Sequence, residues 1–360
     1  LFMLYAVIMA GGSGTRFWPW SRKKTPKQLL KITGQETMIT QTVNRIIGEI
    51  SSENIYVVTT ATLAESIREE LSQIPAKNII SEPFGRNTAA CIGLAATIIS
   101  KRDSRAIMAV MTADHIIEPP DLFLKSLKCA EELATEKNTL ITFGIKPAEP
   151  SVNYGYIQRN EEVIKIDGFP VYDVKCFTEK PDRVTAENFL KSGEYYWNSG
   201  MFVWSVNTIL ENIDTLMPDL SQGLEKIGKS LESPDESSVI CQEYEKFDNI
   251  SIDYGIMEKA SNVKIIEAGF TWDDVGSWLA VERLNKSDQN NNTILGKHCG
   301  FNTQGNIIIG DNDHLITTIN VTDMIIVNTK DVTMICNKNS AEDIKKLTEL
   351  LEEKGYSDYL

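Results

Sequence analysis

Three histidines in 360 residues leave little room for imidazole chemistry. His298 and His314 fall in the last fifth of the chain. His115 adjoins Asp114, which it could orient. No Ser/His/Asp order and no cysteine in an activating setting stands out. The six cysteines (91, 129, 176, 241, 299 and 336) are scattered, and none forms a Cys-x-x-Cys pair. This argues against a thiolate zinc site and a disulfide framework, and fits the reduced thiols of a cytoplasmic protein. Long apolar runs are missing too, and stretches such as 106–111 cannot span a bilayer. No basic segment precedes the apolar run at 4–10, which reads as a strand and not as a signal peptide. Positive charge is short as well: 36 Lys and Arg face 50 Asp and Glu, a net charge of −14. A surface this acidic disfavours nucleic acid and anionic membranes as partners. An anionic substrate would need a local basic pocket.

One stretch can supply that pocket. After the run 4–10 come Gly11-Gly12-Ser13-Gly14-Thr15-Arg16-Phe17-Trp18-Pro19 and then Pro26-Lys27-Gln28. A strand that empties into small residues lets backbone N–H groups approach a phosphate. Arg16 and Lys27 add two cations. The loop lacks the Gly-Lys-Ser/Thr ending of a P-loop. It also lacks the third glycine of the dinucleotide fingerprint, because Phe17 stands there. An ordinary strand-to-helix turn explains Gly11 and Gly12, but not Arg16, Trp18 and Lys27 together.

Strand and helix patterns alternate through the first half. Strand-like runs at 5–10, 55–60, 78–81 and 106–112 are separated by helical patterns at 37–50, 63–73 and 88–101. This alternation predicts βαβ units and a parallel sheet, with ligands at the carboxyl ends of its strands. Gly11 and Asp114 each follow such a strand, so both are expected to reach one crevice. The middle, 139–268, predicts further strands at 139–145, 156–159, 172–178 and 197–205. Its helices are expected at 184–191, 206–217 and 220–231, and 233–238 reads as a polar surface loop. After a polar linker at 285–292 come short β-rich pieces with Asn and Gly at the turns. They predict a small β-roll or truncated β-helix, closed by an amphipathic helix over 341–354. The expected division is therefore 1–284 and 285–360.

Candidate chemistry lies at the predicted strand ends. Asp114 and one acid of Asp273-Asp274 suit a Mg²⁺ site, since Mg²⁺ takes a few carboxylates plus phosphate oxygens. Two adjacent acids in an extended segment point oppositely, and Asp274 is chosen as the ligand. Either acid alone could be a turn or cap residue. Glu179-Lys180 suits a sugar hydroxyl and a phosphate, or forms a surface ion pair. Asn198 sits between aromatics in a predicted strand, Gly155 in a turn that can present backbone amides. Asn87 either caps the helix after it or reads a nucleobase edge. Asp253 either caps a short helix or contacts substrate, with Lys259 turned toward phosphate.

Together these segments resemble the sugar-1-phosphate nucleotidyltransferases over about residues 3–336. The resemblance is carried by the glycine-rich segment, Pro26-Lys27-Gln28, Glu82-Pro83, Gly85-Arg86-Asn87-Thr88-Ala89 and Ala113-Asp114-His115. Phe177-Thr178-Glu179-Lys180-Pro181, Trp197-Asn198-Ser199-Gly200-Met201-Phe202, Ser251-Ile252-Asp253-Tyr254-Gly255 and Trp272-Asp273-Asp274-Val275-Gly276-Ser277-Trp278 continue it in order. Phe17-Trp18-Pro19, Arg86-Asn87-Thr88 and Asp114-His115 point to the mannose/guanine branch. Thr112 and Ala90 stand where the family often has proline, and neither is a proposed ligand.

The resemblance implies a Rossmann-like mixed sheet of the nucleotide-diphospho-sugar transferase type. It implies GMP transfer from GTP to mannose 1-phosphate, giving GDP-mannose and pyrophosphate, in a cytoplasmic homodimer. Arg16, Lys27, Asp114 and Asp274 would be catalytic, the two aspartates holding Mg²⁺. Gly11, Gly12, Ser13, Gly14, Thr15, Glu82, Gly85, Asn87, Thr88 and Asp114 would bind the nucleotide. Gly155, Glu179, Lys180, Asn198, Asp253 and Lys259 would bind the sugar phosphate. Bifunctional members add a cupin-like isomerase domain, for which this chain is expected to have no room. Two alternatives stay open: a dTTP- or UTP-dependent enzyme acting on glucose 1-phosphate, or a non-catalytic nucleotide-sugar-binding subunit.

Overall fold

A computed structural model describes residues 2–12, 14–136, 138–161, 163–311 and 313–360. Ser13, an expected nucleotide contact, lies outside the described residues. Two compact units form. One comprises Leu1–Gly11, Asn44–Ala113 and Ile117–Trp272; the other comprises Gly12–Val43, Asp114–Ile116 and Asp273–Leu360.

The first unit is built on a ten-stranded sheet. Ile79–Glu82, Ile55–Thr60, Leu4–Met9 and Ile107–Thr112 run parallel in that order. Their sequences are rich in Val and Ile, as strands buried on both faces require. Tyr195–Ser205 then pairs antiparallel with Ile107–Thr112 and with Leu140–Ile145. Val263–Glu267, Phe169–Thr178 and Tyr156–Arg159 complete the order, and Ile164–Ile166 pairs off Phe169–Thr178. The sheet is thus mixed.

Helix Asn87–Arg102 packs in the same core as Val206–Leu216 and Pro218–Ser230. Gly93 permits the approach, because a Cβ there would stand 2.6 Å from Leu224 Cδ1. One reading needs correction here. Residues 236–238 of the expected loop begin a helix, Glu236–Lys246, whose Tyr244 is fully buried. Helix Arg183–Ser192 is capped by Asp182, which accepts the Thr185 N–H at 2.8 Å.

The second unit holds the tail and two earlier segments, so the boundary at 284/285 divides the chain but not the packing. The reason is apolar burial. Phe17, Trp18, Leu30, Ile32 and Met38 share one core with Trp278, Ile307, Ile325 and Ile344. Thr293–Leu295, Ile307–Ile309 and Met324–Asn328 stack in parallel register, and Lys297–Phe301 stacks on Leu315–Ile319. Thr333–Asn337 ends the stack antiparallel. These are the coils of a short β-helix. A buried asparagine ladder fastens one corner. Asn292 Oδ1 accepts from both the backbone and side-chain N–H of Asn306, whose own Oδ1 accepts the Met324 N–H at 2.8 Å. Helix Ile344–Glu353 follows. Among the described residues no helix is long and apolar enough to cross a membrane.

Candidate active site

The candidate phosphate loop from Gly12 onward and the two candidate metal ligands fold within the second unit. Gly14 has φ +61°, and a Cβ on it would stand 2.6 Å from Lys27 Cβ and 2.7 Å from Lys27 N. Glycine is therefore required twice, for the left-handed turn and for the approach of the Lys27 backbone. Ser21 Oγ donates to Gly14 O at 2.7 Å and closes the loop. Lys27, 9% exposed in its side chain, donates to Asp114 Oδ2 at 2.8 Å and also to the Asp274 carbonyl. One ammonium thus gathers both residues chosen from the sequence.

Burial pushes the Asp114 carboxyl up, but the Lys27 ammonium and His115 outweigh it and hold the group below its usual range. The neighbouring Asp273 is committed elsewhere. It accepts the Val275 N–H at 2.7 Å and two bonds from Arg283. Lys27 meets Asp274 through its backbone carbonyl. Between Asp274 and Gly276, Val275 is held at φ +48°, a strained conformation for a β-branched residue.

Arg16 is half exposed and lies 3.8 Å from Glu342, a contact that solvent screens. Its guanidinium is therefore accessible to an anion. Thr15 opens the short turn Thr15–Phe17 that carries it. Phe17 and Trp18, which support the guanine branch by resemblance, are core residues: Phe17 packs on Trp278 with ring centroids 5.1 Å apart.

The remaining candidates fold within the first unit. Glu82, at the end of Ile79–Glu82, is buried, and its Oε2 would lie 3.6 Å from a Cβ on Gly11. Burial pushes its carboxyl up to about 7 despite the hydrogen bond from Tyr244. Asn87 is not the cap of its helix. Arg86 takes that place without a side-chain bond, and Asn87 sits inside at φ +65° with Oδ1 accepting the Thr88 N–H. Thr88 Oγ1 in turn accepts the Ile252 N–H at 2.8 Å. Gly85 has open space where its Cβ would be. Arg86 is structural: it donates to the carbonyls of Tyr244 and Glu245.

Asn198 owes its position to a bulge. The pairing of Tyr195–Ser205 with Leu140–Ile145 shifts between Asn198 and Phe202, with Gly200 at φ +68°. Asn198 then donates to Asp253 Oδ1 at 2.8 Å. Asp253 starts a π-helical turn, Asp253–Met257, with no side-chain cap, so its carboxylate points to Asn198 instead. Burial and the facing Glu179 push the Asp253 carboxyl up to about 6. A Cβ on Gly155 would meet Glu179 Oε2 at 2.4 Å, and Lys180 Nζ lies 3.0 Å from Glu179 Oε1. Glu179, Lys180, Asp253 and Lys259 line a cleft of about 580 Å³ with Asn87 and Thr88. Sequence reasoning missed four further lining residues, Asn249, Ile250, Ser251 and Tyr254. Ser251 and Tyr254 lay inside a quoted motif, but nothing in their spacing told which side chains face the cleft.

A family model described as nucleotidyl transferase matches residues 5–291. The chain belongs to the nucleotidyl transferase family. A second model, described as MannoseP isomerase/GMP-like beta-helix domain, matches residues 296–351 of this transferase. Mannose-1-phosphate guanylyltransferase of Klebsiella pneumoniae is 36% identical over 360 residues, covering 99% of this chain and 76% of that protein. The protein of the same name from Escherichia coli K12 is 35% identical over 368 residues, covering 99% and 75%. A crystal structure from Thermus thermophilus, named mannose-1-phosphate geranyltransferase, superposes with a TM-score of 0.87 at 27% identity. It covers 98% of this chain and 100% of that one. By identity over nearly all of this chain and about three quarters of the relatives, the transferase stands among the mannose-1-phosphate guanylyltransferases.

Proposed function

We propose that the chain transfers GMP from GTP to mannose 1-phosphate, releasing pyrophosphate and forming GDP-mannose. The observation that carries this reading is the single ammonium, Lys27, gathering Asp114 and Asp274 beside a glycine-tight loop. The likeness of nearly the whole chain to mannose-1-phosphate guanylyltransferases supports the choice of substrates.

The nucleophile is a phosphate oxygen of the sugar phosphate, largely ionised at neutral pH because its second pKa is about 6. A general base is therefore not needed. Catalysis rests on positioning and on neutralising charge at the α-phosphate. Lys27 and Arg16 stabilise the triphosphate and the departing pyrophosphate, and the backbone of Gly11, Gly12, Gly14 and Thr15 lines the phosphates. Glu82, Gly85, Asn87 and Thr88 carry the guanosine. Glu179, Asn198, Asp253 and the Gly155 backbone hold the sugar, and Lys180 and Lys259 its phosphate.

The Asp114 carboxylate and the Asp274 backbone carbonyl both accept from Lys27, which supports a Mg²⁺ site formed by these two residues. A cation bound by two carboxylates completes its shell from phosphate oxygens and water, which is the habit of Mg²⁺. Asp114 and Asp274 would hold it, and it would neutralise phosphate charge there. A cytoplasmic homodimer is the expected setting.

The test is pyrophosphate release with GTP and mannose 1-phosphate in Mg²⁺, set beside dTTP or UTP with glucose 1-phosphate. Turnover confined to the second pair of substrates overturns the reading. For the metal, Asp274→Ala should weaken Mn²⁺ binding, followed by electron paramagnetic resonance in the presence of GTP. Wild-type Mn²⁺ affinity in that variant would remove Asp274 from the site.

A further inference from the structure

Tyr244 is wholly buried, and its hydroxyl faces a buried acid, Glu82. Its Oη lies 3.1 Å from Glu82 Oε1 and 3.3 Å from the Ala90 carbonyl. A phenol carries one proton and two acceptors compete for it. The carboxylate is the stronger acceptor, since hydrogen bonds to ionised groups are about twice as strong as neutral ones. Glu82 Oε1 is thereby occupied, while Oε2 lies on the Gly11 side.

The segment between Glu82 and Ala90 is clamped at other points to the end of helix Glu236–Lys246. Arg86 donates to the Tyr244 and Glu245 carbonyls at 2.9 and 3.0 Å and lies over the Phe84 ring at 5.0 Å. Phe84 meets Tyr244 edge-on. These contacts fix where the Tyr244 hydroxyl stands relative to Glu82.

From this geometry we infer that Tyr244 is a positioning residue for nucleobase recognition, holding Glu82 ionised with Oε1 occupied and Oε2 open to a ring N–H and its adjacent amino group. This rests on the reading above that Glu82 contacts the base. The partner chemistry is a purine edge with two neighbouring donors, as guanine has. A protonated Glu82 would present a donor to a donor and lose that contact.

The titratable groups acting on Glu82 are few. Tyr244 faces it from helix Glu236–Lys246 and Cys91 from helix Asn87–Arg102, and burial keeps the Cys91 thiol neutral. The Glu82 carboxyl stands at about 7, so its ionised share changes within the ordinary assay range. Removing the Tyr244 hydroxyl removes the one interaction that lowers it.

The experiment compares wild type, Tyr244→Phe, Glu82→Gln and the double variant between pH 6 and 9, with GTP and with ITP, which lacks the amino group. Tyr244→Phe is expected to raise KM for GTP about tenfold at pH 7.5. The kcat and the KM for mannose 1-phosphate should stay within about twofold, and ITP should suffer less. The pH below which KM for GTP climbs should move upward. Glu82→Gln should abolish that pH dependence, and adding Tyr244→Phe to it should cost little more.

Equal losses in kcat and both KM values, additive effects in the double variant, or an unmoved pH profile overturn the inference. Should Tyr244→Phe unfold, Glu82→Gln decides alone, and a pH dependence that persists there overturns it. A wild-type chain that turns over no GTP overturns the functional reading and this inference together. A wild type that does so, with Tyr244→Phe unaffected, overturns only the inference.

Discussion

Lys27→Met separates catalysis from folding at the phosphate loop. The substitution keeps the length and apolar stem of the side chain but deletes the ammonium. At 2.8 Å, and at an effective dielectric constant of about 20, the Lys27–Asp114 attraction is about 6 kcal/mol. Desolvating each ion costs several kcal/mol in return. The Asp114 side chain is 34% exposed, so water screens what remains. The net loss of stability should be about 1–3 kcal/mol, a fall of a few degrees in Tm.

The pH dependence has a definite sign. Asp114 is held below its usual range in the folded chain, so its contribution is full above the ordinary carboxylate value of about 3.9. It is lost as pH falls through the lowered value. Without Lys27 the larger effect, burial, is opposed only by lesser ones. The stability deficit of the variant should therefore be greatest at neutral pH and shrink in acid. Turnover should fall further than stability. Removing one preorganised donor from developing negative charge costs about 10²–10³ in kcat. The assays are pyrophosphate release from GTP and mannose 1-phosphate, and thermal unfolding at pH 7.5 and 4. A kcat within tenfold of wild type would refute the catalytic assignment. A Tm deficit as large at pH 4 as at 7.5 would refute the electrostatic one.

Gly155→Ala places a Cβ 2.4 Å from Glu179 Oε2, and a carboxylate end can swing away at little cost. Stability should barely change, while KM for mannose 1-phosphate rises about tenfold and KM for GTP does not; equal rises in both would detach Glu179 from the sugar. Asp253→Asn tests the carboxyl raised to about 6. A folded value above the unfolded one of about 3.9 contributes stability below that pH and loses it as pH rises to about 6. The amide keeps an acceptor for Asn198, so the variant should be about 1–3 kcal/mol more stable than wild type at pH 7.5 and no different at pH 4. Chemical denaturation at both values decides, and an equal difference at the two would contradict the assignment.

Which parts of this were legible in the chain follows from what each part depends on. The parallel strands were legible because burial on both faces demands continuous Val/Ile runs, and residues 55–60 carry one from end to end. The β-rich tail was legible from its turns. Asp114 and Asp274 stand out in the chain as acids expected after strands, a chemistry that suits Mg²⁺. That Lys27 meets both was not legible, because it reaches them across 87 and 247 residues of sequence. The folding of residues 17–38 with the tail was hidden for the same reason. Large apolar side chains announce burial, but not the partner.

A different kind of illegibility concerns residues whose motif suggested one role and whose backbone gave them another. Asn87 has the side chain of a cap, yet it lies inside the helix at φ +65°. Asp253 has a cap's side chain as well, and the π-helical turn hands its carboxylate to Asn198. Phe17 and Trp18 mark the branch by resemblance, and packing makes them core. For Asn87 and Asp253 the deciding variable is the local backbone conformation, and for Phe17 and Trp18 it is the packing partner. Period-based reading cannot resolve either, since one residue of slip reverses which side chains face inward. Tyr244 shows the converse. A polar stretch at 233–238 hid the start of its helix, although Val239, Ile240, Tyr244 and Phe247 repeat at helical spacing. That spacing was left unassigned in the sequence, and only the fold discloses the buried face and the Glu82 carboxylate that Tyr244 meets.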